Sequence, residues 1–349
     1  MTDSKPIIGI SVGDLNGIGM EVIIKTFQNP DILSICTPVV FASSKVASFH
    51  RKALKIENFS FNIVHEIDKI APKKANLLNC WKDDVNIRFG IEDSQVGKYA
   101  LRSLEKACEF LEEGKIDALV TAPINKAAIQ SENFKFSGHT DYLEARFGAK
   151  ATMMLISDHM RMALATVHIP ISKVAVAINE ELILKRLESI RNSLKSDFNI
   201  SKGKIAVLGL NPHAGDKGVI GKEEQEIIGP AIQKAFDKGI MAFGPYSADS
   251  FFGSDAYTKF DAILSMYHDQ GLIPFKGISF GQGVNYSAGL PIVRTSPDHG
   301  TGFDIAGKGL ADETSFRQAV YMALEIARNR KENFQLEKNA LKKQRKQDH

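Results

Sequence analysis

The chain has 349 residues, 44% of them hydrophobic and 24% charged, with a formal net charge of +3. That length suggests about two domains at roughly 150 residues each, and a composition near the soluble average excludes disorder, collagen and coiled coil. Eight Lys/Arg and three Asp/Glu fall in residues 328–349, so the rest of the chain carries a net charge of −2 and argues against a nucleic-acid-binding face.

In chain order, short Ile- and Val-rich runs at residues 6–12, 38–42, 118–120, 204–210 and 261–266 read as buried strands bounded by Gly, Asn or Pro. Residues 94–113 place Val96, Tyr99, Ala100, Leu104, Ala107, Cys108 and Leu111 on one helical face, and Gly114 sits just past its end. Residues 180–194, 222–238 and 313–328 repeat the helical period. Strands alternating with helices predict an α/β fold with a largely parallel sheet. Two segments break the alternation. Residues 153–157 and 161–167 flank Asp158-His159-Met160 and predict an antiparallel hairpin. Residues 243–301 carry glycines and little helical period, and irregular loops of this kind on a rigid scaffold are where sites lie. The basic tail from residue 328 reads as a frayed, solvated helix.

Cys36, Cys80 and Cys108 are too few and too scattered for a disulfide framework or a zinc knuckle. No apolar run approaches the ~18 residues of a membrane span, and the first residues lack the charged and apolar regions of a signal peptide. The expectation is a cytoplasmic protein with no membrane and no nucleic-acid partner.

The loop Gly13-Asp14-Leu15-Asn16-Gly17-Ile18-Gly19 follows the first strand, but Val22 stands where a dinucleotide fingerprint needs its third glycine. An ordinary strand-to-helix turn is favoured there over a phosphate cradle. The histidines say more. His139, His168, His213, His268 and His299 lie in polar or glycine-bearing contexts, and strand–His–loop recurs at His168, His213 and His268. Ligands gather beyond the carboxyl ends of parallel strands, so these three imidazoles are candidates for a divalent-metal site. A lone histidine is more often structural; for three in matching positions the two readings balance. At 138–144, Thr140 reads as the N-cap of a helix whose free amides suit an anion, with a plain cap as the bland alternative. Lys276, Asn285 and Arg294 are candidate partners for a carboxylate or phosphate, although exposed Lys and Arg are usually solvated. Thr121-Ala122-Pro123-Ile124-Asn125-Lys126 is a further candidate loop, and no Gly-x-Ser-x-Gly elbow is present.

Read together, the stretches G-D-x-N-G-I-G, T-A-P-I-N-K, G-H-T-D-Y-L-E, T-V-H-I-P, L-N-P-H-A-G-D, M-Y-H-D-Q-G-L, G-V-N-Y-S-A-G-L-P, R-T-S-P-D-H-G-T and F-D-I-A-G-K-G run in this order from Gly13 to Gly309. In this the chain resembles the 4-hydroxythreonine-4-phosphate dehydrogenase family of pyridoxal phosphate biosynthesis. The resemblance implies an isocitrate/isopropylmalate-dehydrogenase-like α/β fold with two α/β domains and a cleft between them. The first domain would comprise residues 1–130 with 305–349. The second, residues 131–304, would carry most metal and substrate residues and the interface of a homodimer.

By the same resemblance, His168, His213 and His268 would bind the metal, and His139, Thr140, Lys276, Asn285 and Arg294 the phosphorylated hydroxy amino acid. Lys276 and His139 would be the catalytic groups. NAD or NADP would lie against residues 211–215 and 298–307, at Asn211, Gly215, Asp298, Gly300 and Asp304. Imidazole ligands favour zinc, with cobalt or magnesium as alternatives. Leu15 and Met20 stand where the family usually has prolines, Gly302 where Ala is common and Asp216 in place of Glu. Two other activities stay open: a paralogous dehydrogenase of sugar-acid phosphates such as threonate or erythronate 4-phosphate, and a phosphate acyltransferase.

Overall fold

The computed structural model describes residues 5–130 and 134–339. Twelve strands form one mixed sheet: β1 (Ile7–Ser11), β2 (Thr37–Ala42), β3 (Asn62–Val64), β4 (Asn76–Asn79), β5 (Ala118–Thr121), β6 (Thr152–Ile156), β7 (Arg161–Leu164), β8 (Ile205–Leu208), β9 (Ala242–Tyr246), β10 (Ala262–Ser265), β11 (Val284–Ala288) and β12 (Arg294–Pro297). Their order is β3-β4-β2-β1-β5-β12-β11-β6-β7-β10-β8-β9. The fold is α/β, as expected.

Both outer blocks are parallel, whereas β12-β11, β11-β6 and β6-β7 pair antiparallel. The apolar runs are strands because helices cover both faces of the parallel blocks: β2, β5, β8 and β10 are buried at every residue. The hairpin forms as expected, with Ile156 opposite Arg161. Helix Ser94–Glu112 ends before Gly114, whose φ of +67° lets the chain leave it.

Three expectations change. Residues 243–301 are built rather than irregular: they hold β10, β11, β12 and the helix His268–Ile278. Residues 222–238 do not make one regular helix. A π-type turn, Glu224–Ile228, precedes the helix Gly229–Asp237, since Pro230 has no N–H to continue an α ladder. The C-terminal helix Thr314–Asn339 runs well past residue 328, and its start as a tail is packed rather than frayed. There Arg330 bonds the buried Asp197 carboxylate at 2.7 Å, Arg328 donates to the Ile35 carbonyl and Asn333 to that of Ser196. Residues 340–349 lie outside the described residues.

The glycine loop behaves as a plain turn. Residues 13–20 are buried, the Ile18 amide donates to the Thr301 carbonyl, and a Cβ on Gly17 would stand 2.7 Å from that same oxygen. Among the described residues no helix is long and apolar enough to cross a membrane.

Candidate active site

The antiparallel centre of the sheet forms the floor of a pocket of about 360 Å³. Alternation along each strand decides which residues reach it. On β11, Asn285 lines the pocket while Tyr286 is turned to the far side, where its hydroxyl donates to Asp197. On β12, Arg294 and Ser296 line it, with Ser296 directly opposite Asn285, and β6 adds Met153 and Leu155. The loop after β5 supplies a wall through Thr121, Pro123 and Lys126. Two helices close the rest: the amino end of helix His139–Phe147 with Gly138 to Asp141, and one side of helix His268–Ile278 with His268, Leu272 and, in its last turn, Lys276.

Arg294 sets the electrostatics. Its guanidinium is buried and donates to the Thr121 hydroxyl from Nε (3.1 Å) and Nη2 (2.7 Å), and to the Ser287 hydroxyl from Nη1 (3.2 Å). Among the described residues no carboxylate pairs with it, and burial lowers its pKa to about 10. A buried cation without an acid partner is costly unless an anion completes it. Burial and, second, the Arg294 charge hold His139 well below the ordinary imidazole pKa, so the ring is neutral. Its Nε2 is buried without a hydrogen-bond partner, as are Asn285 Oδ1 and His299 Nε2. All three belong to residues lining the pocket. Leaving such atoms unpaired costs about 1–3 kcal/mol each, so three in one pocket point to a polar ligand.

Lys276 Nζ donates to the Asp298 carbonyl at 3.3 Å, and burial raises the Asp298 carboxyl while the Lys276 charge opposes the rise. Helix His139–Phe147 begins at Gly138 with no side-chain cap, so Thr140 lies inside the first turn rather than at the N-cap. The first-turn amides therefore have no side chain serving them, the arrangement that suits an anion.

His168 and His268 stand together with ring centroids 5.7 Å apart. Partial desolvation first, then the charges of Lys126 and His268, depress the His168 pKa and favour the neutral form a metal needs. His268 Nδ1 lies 2.7 Å from Asp269 Oδ1, the second contact that orients a ligating imidazole. The donor chemistry of this pair fits a divalent metal. A single chain gives only the pair: among the described residues no group of three His, Cys, Asp or Glu is placed to hold a metal ion. His213 is exposed on the turn Pro212–Gly218 and does not line the pocket.

Of the expected site residues, the pocket brings together His139, Thr140, His168, His268, Lys276, Asn285, Arg294, Asp298 and Gly300. It does not include His213, Asn211, Gly215 or Asp304. It adds Thr121, Lys126, Asp141 and Ser296, which the sequence reading did not assign to the site. Thr121 and Lys126 open and close the T-A-P-I-N-K loop, and that motif was the one available signal for them.

Comparison with known proteins agrees with this geometry. Residues 34–323 match the family described as pyridoxal phosphate biosynthetic protein PdxA. A 4-hydroxythreonine-4-phosphate dehydrogenase of Bacteroides thetaiotaomicron is 52% identical over 346 residues, covering 99% of this chain and 95% of its own. A relative from Oceanobacillus iheyensis, named provisionally as a D-threonate 4-phosphate dehydrogenase, is 38% identical over 328 residues, covering 93% of this chain and 98% of its own. The crystal structure of the 4-hydroxythreonine-4-phosphate dehydrogenase of Klebsiella pneumoniae superposes with a TM-score of 0.82 at 31% identity, covering 93% of this chain and 98% of that one. The chain belongs to the PdxA family of pyridoxal phosphate biosynthetic proteins.

Proposed function

We propose that the protein oxidises 4-phosphooxy-L-threonine to 2-amino-3-oxo-4-phosphooxybutanoate, which decarboxylates to 3-amino-2-oxopropyl phosphate on the route to pyridoxine 5'-phosphate. The observation that carries this reading is the buried Arg294, without an acid partner among the described residues, beside the unpartnered atoms of His139 and Asn285. A substrate with a carboxylate at one end and a phosphate at the other satisfies them.

When bound, NAD or NADP would supply the hydride acceptor, and a divalent metal, zinc or in its place cobalt or magnesium, would supply a Lewis acid for the secondary alcohol. His168 and His268 would hold that metal from one subunit. His213 would join them from a second copy of the chain, so that a homodimer completes the site. Exposed apolar side chains flank all three imidazoles: Ile169, Ile171 and Val176 after His168, Val219 and Ile220 after His213, and Ile273 after His268. A second copy is the occupant that both covers these and supplies the missing imidazole.

Arg294 and the first turn of helix His139–Phe147 fix the two anionic ends, which places the hydroxyl carbon between them. Neutral His139 donates or accepts one hydrogen bond without adding charge. Lys276 Nζ returns a proton to the carbon that carried the carboxylate. Asn211, Gly215, Asp298, Gly300 and Asp304 are the residues that would hold the dinucleotide. The two domains of the reading, 1–130 with 305–349 and 131–304, both contribute: Thr121 comes from the first, and His139, Asn285 and Arg294 from the second. A cytoplasmic location belongs to the same reading.

The relative named for D-threonate 4-phosphate supports a second reading, a sugar-acid phosphate dehydrogenase with a hydroxyl where threonine has its ammonium. Asp141 in the pocket wall favours the ammonium. The test is NADH formation by the purified protein with 4-phosphooxy-L-threonine and with threonate 4-phosphate, before and after chelation and zinc add-back. Turnover of the amino acid that dies with chelator and returns with zinc is the expected result. Turnover of threonate 4-phosphate alone would replace the first reading with the second.

A further inference from the structure

The segment after β8 has a backbone that its sequence does not favour. His213, Ala214, Gly215, Asp216 and Lys217 have φ of 53°, 50°, 79°, 42° and 53°, one turn of left-handed helix in which only Gly215 is free of a Cβ. Left-handed residues are normally single and mostly glycine or asparagine, so a run of this length holds only where its surroundings enforce it.

One side chain supplies that enforcement. Glu224 is buried, 4% exposed, and its Oε1 accepts hydrogen bonds from the Leu210 and Asn211 amides, both at 2.7 Å. Its Oε2 accepts from Asn211 Nδ2 at 3.0 Å. The turn is shaped around it: a Cβ on Gly215 would stand 2.5 Å from Glu224 Oε2, and one on Gly209 3.2 Å from Oε1. On the far side Gln270, two residues after His268, accepts from the Met266 amide and donates to the Gly209 carbonyl, both at 2.7 Å. The base of the turn is thus clamped between the π-type turn that carries Glu224 and the helix that begins at His268.

We infer that Glu224 is a positioning residue that holds the left-handed turn and so presents His213 in its working place. It touches neither substrate nor metal and acts through the three donors at the turn's base. The inference rests on the reading of His213 as the imidazole supplied to the neighbouring subunit. Glutamine at 224 keeps an oxygen for the Leu210 and Asn211 amides, and Asn211 Nδ2 keeps its bond to Glu223 Oε2. Alanine leaves the Leu210 and Asn211 amides unserved, while Asn211 Nδ2 keeps its bond to Glu223 Oε2 at 2.7 Å.

The experiment compares wild type, Glu224→Ala, Glu224→Gln and His213→Ala as full-length proteins stripped of metal. It reads zinc affinity by competition with a chromophoric chelator, and hydrogen exchange over residues 209–218 by mass spectrometry. Glu224→Ala is expected to speed exchange in that segment alone and to weaken zinc binding by about tenfold or more, as loss of a ligand-orienting group does, with Glu224→Gln recovering most of both. Unchanged exchange in Glu224→Ala overturns the inference. Faster exchange with wild-type zinc affinity, while His213→Ala loses zinc, also overturns it and leaves Glu224 with a purely structural part. Wild-type zinc affinity in His213→Ala would instead refute the ligand assignment, and the exchange readout alone would then decide Glu224.

Discussion

Arg294 on β12 donates to the Thr121 hydroxyl at the end of β5 through both Nε and Nη2, at 3.1 and 2.7 Å, across a sequence separation of 173 residues. The hydroxyl aims the guanidinium and neutralises none of its charge. Thr121→Val keeps the shape and removes the single acceptor that serves both donors. KM for the phosphorylated substrate should rise about tenfold, the loss of roughly 1.4 kcal/mol of hydrogen bonding, with kcat much less changed. Arg294→Lys should be far worse, because an ammonium cannot span Thr121 and Ser287 together. Steady-state kinetics on the two variants check both; an unaltered KM in Thr121→Val would remove Thr121 from the site.

Stability against pH carries two opposed contributions near the first glycine loop. Burial raises the Asp14 pKa to about 6, so the folded protein holds that proton more tightly than the unfolded chain. Its contribution is fully present below about 3.8 and is lost as pH rises through 6. Burial lowers His50, whose Nε2 lies 3.0 Å from the Leu15 carbonyl, to about 4. That contribution is present above about 6.5 and is lost as pH falls through 4. Asp14→Asn should therefore be more stable than wild type at pH 7 and nearly equal to it at pH 4. Urea midpoints at the two pH values test this, and an equal shift at both would contradict it.

One buried acid helps to fasten the C-terminal helix. Asp197 accepts from Arg330 Nε at 2.7 Å and from the Tyr286 hydroxyl at 2.5 Å, and Arg330 Nη2 donates to that hydroxyl at 2.9 Å. Arg330→Met should cost about 3 kcal/mol by stranding the Asp197 carboxylate, and Tyr286→Phe about 1 kcal/mol. Chemical denaturation of both variants and of the double variant measures the coupling; additive losses would mean three independent contacts.

Ile171 and Val176 are 72% and 86% exposed beside His168. If a second copy covers them, Ile171→Lys with Val176→Glu should convert the dimer to a monomer, with a parallel loss of turnover and of zinc. Sedimentation velocity gives the mass. A wild-type protein that is monomeric at assay concentration would defeat the shared-site reading.

The parallel strands were legible in sequence because burial on both faces writes them as continuous apolar runs, as in β2 and β10. β11 and β12 were not, because their pocket faces carry Asn285, Ser287, Arg294 and Ser296 and so lack that signature. Gly271, Pro274 and Gly277 hid the helix His268–Ile278 by interrupting its period. His139 and Arg294 stood out as residue types in recognisable motifs. Thr121 lay in the T-A-P-I-N-K motif, but its role was hidden, since it comes from a partner that only the sheet order brings alongside. His213 was legible as a ligand type, but a sequence says nothing about which copy of the chain an exposed turn serves.

The alternation on β11 ties upkeep to chemistry. Asn285 and Tyr286 are neighbours facing opposite ways, one toward the pocket and the other tied to Asp197 and Arg330. Slipping this strand by a single residue would bring an aromatic ring into the substrate's place and an amide into the apolar layer behind. The C-terminal helix thus works as an index pin: Arg330 adds its contact to the register that the β6 and β12 ladders set for β11, and so supports the pocket's floor plan from the opposite side of the sheet.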